Sequence, residues 1–296
     1  MNPFRSLLAA SLLIFGAAPV GADSLPLWEV SGSGNGRVML LGSMHFLRPG
    51  ADSLPAAAVQ ALDEADVVIM ELDLDDIDQA SAQAAMQRYG IDPGGRTLDT
   101  LIGESAWRKA QASAKGLGLD LTMLRPFEPW LAAVTVAQLQ LAALGYESDA
   151  GVEQQILRLS QRDGKEIRGL ETVDQQFSAL DSLPNTAQAG FLQQTLDESA
   201  TMKDDIGRMV DAWRSGDTAT MAREFLDPVQ EQPQLYRRIV VDRNRDWLRQ
   251  LRPLLRDGKN YLVVVGTLHL VGPDSLVAML DDAGFTVRQL QRTGTD

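Results

Sequence analysis

The chain contains only two histidines, and they occupy the same slot in two copies of one phrase. Val38 to Leu54 reads VMLLGSMHFLRPGADSL, and Tyr261 to Leu276 reads YLVVVGTLHLVGPDSL. Each copy runs through an apolar stretch, a glycine, a hydroxyl residue, the histidine, a Pro/Gly turn and Asp-Ser-Leu. Each then continues through a helix-like segment (Leu54 to Ala65; Ser275 to Gly284) into a second apolar run, and so reads as strand, loop, helix, strand. That is a βαβ unit, which requires parallel strands and a right-handed crossover. In open parallel sheets functional groups gather outside the carboxyl ends of the strands, where His45 and His269 both fall. Gly42 and Gly266, three residues before them, permit a sharp exit and a close approach by other atoms. Pairing the two copies about a local two-fold axis would bring the imidazoles together. Their usual work as metal ligands or proton shuttles favours a shared site over two separate strand caps. Because both side chains hang from strand ends, alanine at either should abolish activity and leave the fold intact.

The fold expected from this is α/β: a central, mainly parallel sheet built from two related βαβ units, one near each terminus, with a large helical insertion between them. The single domain would span 23–296, with its core at about 25–75 and 260–292 and the insertion at about 76–255. Asp23 to Val38 reads as an entry hairpin. The strand Val67 to Leu72, VVIMEL, ends on Glu71, a carboxylate that burial would penalise without a cation nearby. The matching end of the second unit carries Gln289 and Gln291, so the symmetry would be broken at the site.

Helical patterns follow at Leu74 to Tyr89, Leu98 to Leu117, Pro129 to Leu144, Gly151 to Arg162, Phe191 to Met209 and Thr218 to Phe225, with a short strand from Lys165 to Leu170 leading to Glu171. The acidic DLDDID run lacks the spacing and glycine of a calcium loop. From Tyr236 to Leu251 the apolar stripe at helical spacing is interrupted by Arg243 and Asn244. A guanidinium on that face needs partners, and Glu71 or Glu171 are the acids to supply them.

Met1 to Ala22 has a basic residue, a short apolar run and small residues before a cleavage point, the pattern of a secretory signal peptide. Its removal takes the formal charge from −13 to about −14, which disfavours nucleic acid and anionic membranes. An exported, periplasmic or secreted protein with no stable membrane span is expected. No cysteine is present to form a disulfide, so core burial must hold the fold together.

With these residues collected, the chain resembles the TraB/PrgY/GumN family, most closely its GumN-like exported branch. The resemblance rests on GSMH at Gly42 to His45, MELD around Glu71, Pro129-Trp130, GVE at Gly151 to Glu153, GLET around Glu171, Arg243-Asn244, and VGTLHLVGPD around His269. The branch more often has Asp where this chain has Glu153. The resemblance implies a wider group that includes the TIKI metalloproteases, the erythromycin esterases and the haem-binding ChaN proteins. It also implies a site centred on His45, His269 and Glu71, with Arg243 beside them, and through GumN a link to envelope polysaccharide synthesis.

Metal-dependent, peptidase- or amidase-like hydrolysis is the first expectation. His45, His269 and Glu71 would hold a divalent ion (zinc, manganese or cobalt) with a position open for water. Arg243 and Asn244 would stabilise an oxyanion, and Glu171 would act as general base or orient a histidine. The alternatives are a metal-free, esterase-like hydrolase with histidine as base, or a non-catalytic factor that binds metal, haem or saccharide. A GxSxG serine-hydrolase motif is absent. Peptide, ester and glycan substrates all stay open.

Overall fold

The structure, a computed structural model, describes residues 24–32 and 36–291. The signal-peptide expectation for residues 1–22 falls outside them. A six-stranded sheet has the order β4-β3-β5-β2-β1-β6, with β1 at Ser24–Ser31, β2 at Arg37–Ser43, β3 at Val67–Leu72, β4 at Glu166–Glu171, β5 at Tyr261–Gly266 and β6 at Thr286–Gln291. Strands β4, β3, β5 and β2 pair in parallel, and β1 runs antiparallel to both β2 and β6.

The period-two alternation of the apolar strands divides the core by face. Met39, Leu41, Val68, Met70, Leu262 and Val264 join the helix Ala56–Glu64 in one buried cluster. Val38, Leu40, Val67, Ile69, Val263 and Val265 join the helix Leu276–Asp282 in another. The two crossover helices therefore cover opposite faces, as right-handed crossovers leaving in opposite directions must.

The two βαβ units interleave. The first leaves β2 and reaches β3 on the far side of β5, and the second leaves β5 and reaches β6 beyond β2 and β1. Strands β2 and β5 are thus neighbours from which the chain departs both ways, a switch point that opens a crevice at their carboxyl ends. Their register pairs Ser43 with Gly266 at that end. The second unit's last strand stands at the sheet's edge, where Gln289 Nε2 bonds the carbonyls of Leu25 and Gly216. The expectation that Gln289 breaks the symmetry at the site is thereby corrected: with two strands between β5 and β6, it stands elsewhere.

The segment between the units is mostly helical but returns one strand, β4, to the other edge of the sheet. The expected helix Leu98 to Leu117 is two, Leu98–Ile102 and Glu104–Gly116, because Gly103 at φ 82° turns the chain between them. Helices Asn185–Glu198 and Met202–Ser215 likewise replace one expected run. Around the interrupted stripe a π-helical turn, Arg237–Val241, precedes the helix Asp242–Leu254. The wide turn carries the buried stripe from Leu235 to Val240, and from there to Asn244, Trp247 and Leu251.

Candidate functional site

Both imidazoles approach one point beside Gly266. A Cβ built on that glycine would lie 3.8 Å from His45 Nε2, 3.7 Å from His269 Cδ2 and 3.3 Å from Glu71 Oε1. The Gly266 N–H donates to Glu71 Oε1 at 2.7 Å, so the end of β5 holds the acid beside both rings. Thr267 Oγ1 donates to the carbonyl of Ser43 at 2.9 Å and stitches the two strand ends together.

The histidines then differ in every other respect. His269 is 3% exposed and packs against the Trp247 ring at a centroid distance of 4.4 Å. Asn244 directs its amide N–H groups to the carbonyls of His269 and Asp274, at 3.3 Å and 2.8 Å, which leaves Oδ1 facing His269 Nδ1 at 2.7 Å. On the other side Arg243 Nη1 lies 3.2 Å from Nε2, and a guanidinium can only donate. His269 is therefore neutral with its proton on Nδ1. Burial, and then the adjacent guanidinium, push its pKa down to about 3. The expectation that His269 can be replaced without structural cost is corrected, because its ring is packed and bonded at both nitrogens.

His45 faces the cleft, with 62% of its side chain exposed. Its Nδ1 lies 2.6 Å from Glu153 Oε1, which also accepts from Ser43 Oγ at 2.5 Å. The Glu153 carboxylate raises the imidazole to about 9. Glu153, despite the burial that opposes its charge, is held below the usual carboxylate range by His45 and Ser43. Gly151 makes this pairing possible, since a Cβ there would lie 2.3 Å from the His45 carbonyl oxygen. The start of the helix Val152–Arg162 can then press against the His45 loop, with Val152 N–H donating to Met44 O at 3.0 Å.

Arg243 joins the remaining acids. Nε donates to Glu171 Oε1 and Oε2 at 2.8 Å and 3.1 Å, Nη2 to Glu71 Oε2 at 2.6 Å, and Nη1 also reaches the Ile239 carbonyl at 3.3 Å. Of five N–H groups, one Nη2 hydrogen is left without an assigned acceptor. Burial is the largest influence on Glu71 and opposes its charge, but Arg243, the two imidazoles and the Gly266 N–H together outweigh it and lower the carboxyl to about 2. Burial dominates at Glu171 and raises it. Gln176, on the helix Val173–Asp181, donates to Glu71 Oε2 at 3.3 Å.

The structure gathers His45, His269, Glu71, Arg243, Asn244 and Glu171 at one end of the sheet: the last five share hydrogen bonds, and His45 approaches them beside Gly266. Glu171 bonds Arg243 and no histidine, and Asn244, fully buried, bonds His269 and the following turn. Glu153, Ser43 and Gln176 carried no role in the sequence reading. The GVE motif was a signal for Glu153, whereas nothing local marks Gln176.

A cavity of about 220 Å³ opens at this point, lined by His45, Glu71, Glu153, Gln176 and the apolar Met70 and Leu72 among others. A larger, more open hollow of about 400 Å³ lies behind the His45 loop, beside Asp52 and Arg158, and contains neither histidine. The imidazole-lined cleft is the candidate site. Three or more His, Asp or Glu side chains placed to hold a metal ion do not occur among the described residues. The donor set as arranged does not fit a three-ligand metal, because His269 Nε2 already takes a guanidinium hydrogen.

The model of the TraB/PrgY/gumN family matches residues 26–289, from β1 to β6 and so across the whole described sheet. The chain belongs to the TraB/PrgY/gumN family. Two relatives are each 25% identical over 255 residues, which is 86% of this chain and 92% of theirs: "Uncharacterized protein YbaP" of Escherichia coli (strain K12) and its namesake in Shigella flexneri. No solved structure matches. For this TraB/PrgY/gumN chain, the Pro129-Trp130 motif lies outside the cleft lining and serves packing. Pro129 opens the helix Pro129–Ala143, and Trp130 Nε1 bonds the carbonyl of Tyr89 at 3.1 Å. Among the described residues no helix is long and apolar enough to cross a membrane.

Proposed function

We propose that this protein is a hydrolase of acyl substrates, esters or amides, in which His45 oriented by Glu153 activates water. The observation that carries the reading is the 2.6 Å contact between His45 Nδ1 and Glu153 Oε1, which leaves Nε2 pointing at the cleft beside Gly266 and Glu71. A carboxylate on one ring nitrogen fixes the tautomer and makes the other a stronger base. Water would lose a proton to Nε2 as its oxygen attacks the acyl carbon. The same proton then passes from Nε2 to the leaving oxygen or nitrogen as the tetrahedral species collapses. Glu71, fixed from behind by Arg243, gives the cleft a polar floor. Gln176, which lines the cleft and gives one amide hydrogen to Glu71, is the side-chain amide available to a developing oxyanion.

The base must be unprotonated, and Glu153 raises its pKa to about 9, so kcat/KM should climb with pH through that region. Glu153→Gln removes the charge and should move the midpoint down toward about 6.5 while lowering the plateau by about 10²-fold. A pH–rate profile unchanged in Glu153→Gln would sink the reading.

A divalent-metal hydrolase is the second reading, which would require His269 Nε2 to give up its Arg243 hydrogen before it could join His45 and Glu71 as a ligand. Activity that is lost to a chelator and restored by zinc, manganese or cobalt would select it. We also propose that the protein is exported through a leader at Met1 to Ala22, which N-terminal sequencing of the exported form would check. A role near envelope polysaccharide synthesis is a further proposal that rests on the resemblance to GumN; loss of surface polysaccharide on deletion of the gene is its check.

A further inference from the structure

The charge balance of the cleft bears on its substrate. Three carboxylates, Glu71, Glu153 and Glu171, are gathered with one guanidinium, Arg243, and one imidazole, His45. One negative charge is left over when His45 carries its proton, and two when it does not. Arg243 has little to offer an anion: its side chain is 14% exposed, and its three nitrogens are engaged by Glu171, Glu71, His269 and the Ile239 carbonyl. Among the described residues that line the cavity, His45 is the only basic side chain. Exposed Asp75, next in the chain to the lining residue Leu74, has the same sign.

Carboxylates drawn out of water and incompletely neutralised are costly, and a ligand of opposite charge relieves that cost. The partly dry cleft strengthens both the attraction of a cation and the repulsion of an anion beyond their values at an open surface. The other wall is apolar, with Met70, Leu72 and Leu74 side by side.

We propose that the cleft takes substrates bearing an organic cation, an amine or amidinium, on an apolar body, and that it rejects anionic ones. This rests on the cleft being the substrate site of the hydrolase proposed above. An organic cation suits the cavity better than a bare metal ion, because the apolar wall gives its body a place while three metal donors are not arranged together.

Benzylamine, benzyl alcohol and benzoate present one ring with three charges and are the probes. With two histidines in the chain, labelled histidine gives two ring signals, of which that of His45 reports the cleft. Titration of the full chain should show benzylamine binding at least about tenfold more tightly than benzyl alcohol, with benzoate leaving His45 unmoved. Glu153→Gln should reduce the benzylamine advantage and leave benzyl alcohol unchanged. Equal binding of benzylamine and benzoate overturns the proposal. So does displacement of benzylamine by an equal concentration of manganese or zinc alone, which would identify an inorganic cation site. If benzylamine binds as stated but no ester of any charge is hydrolysed, the hydrolase reading falls and the charge preference stands. Equal kcat/KM for cationic and anionic esters does the reverse.

Discussion

Arg243 and the two histidines show how much a residue's burial decides its worth. Arg243→Ala would leave Glu71 and Glu171, both nearly buried, without their shared partner, at a cost of about 3–5 kcal/mol. Arg249, 70% exposed and bonded to Asp246 and the Arg245 carbonyl of its own helix, should change stability by less than about 0.5 kcal/mol when made alanine. Equal urea midpoints for the two variants would contradict the placement of Arg243. The histidines should separate in the same assay. His45→Ala should lose activity and should lose less stability than His269→Ala, because its ring faces the cleft and Glu153 keeps its Ser43 hydrogen bond. His269→Ala should lose about 2–4 kcal/mol, since it empties the space against Trp247 and strands Asn244 and an Arg243 hydrogen. The helical spacing of Tyr236 to Leu251 made Arg243 legible as a buried cation. It could not say that Arg243 would bridge both acids, because Glu71 and Glu171 end different strands.

At the scale of elements, the site depends on a helix start pressed against a loop. Gly151 allows the helix Val152–Arg162 to meet the His45 backbone, and the contact sets Glu153 beside the imidazole. Gly151→Ala forces that helix outward, because the obstruction is backbone, and should cost about 1–3 kcal/mol. Its pH–rate midpoint should also fall toward that of Glu153→Gln, which a purely structural loss elsewhere would not produce. An unchanged midpoint in a folded Gly151→Ala protein would show that the close approach does not position the acid. The helix itself was readable from its pattern and from the GVE motif, but its destination was not. Nothing in the sequence near Glu153 says that it meets a loop more than a hundred residues earlier.

Over the whole molecule, the buried titrations set opposed limits on stability. His269 stays neutral in the fold and gains a proton when unfolded, so stability should fall as pH drops from 6.5 toward about 3. Glu71 adds to this, because the stability its ionised form contributes above 4.5 is lost as pH falls toward about 2. His45 acts in the other direction: its ion pair is fully present below 6.5 and is lost as pH rises through about 9, with solvent screening the effect at this open position. Melting temperature should therefore peak near pH 6–7, and His269→Gln should flatten the acid limb at up to about 1.4 kcal/mol per pH unit. The duplicated phrase determined by itself that two βαβ units exist and that each histidine follows a strand, because apolar runs of strand length and glycine exits are local properties. The family motifs added which acids and which cation to watch. Only the tertiary structure decided that the units interleave, that Gln289 stands apart while Glu153 and Gln176 come in, and that one imidazole is sealed while the other is open. Those outcomes depend on which strands become neighbours and which helix covers each end, and strand order and helix docking arise from contacts distant in the chain.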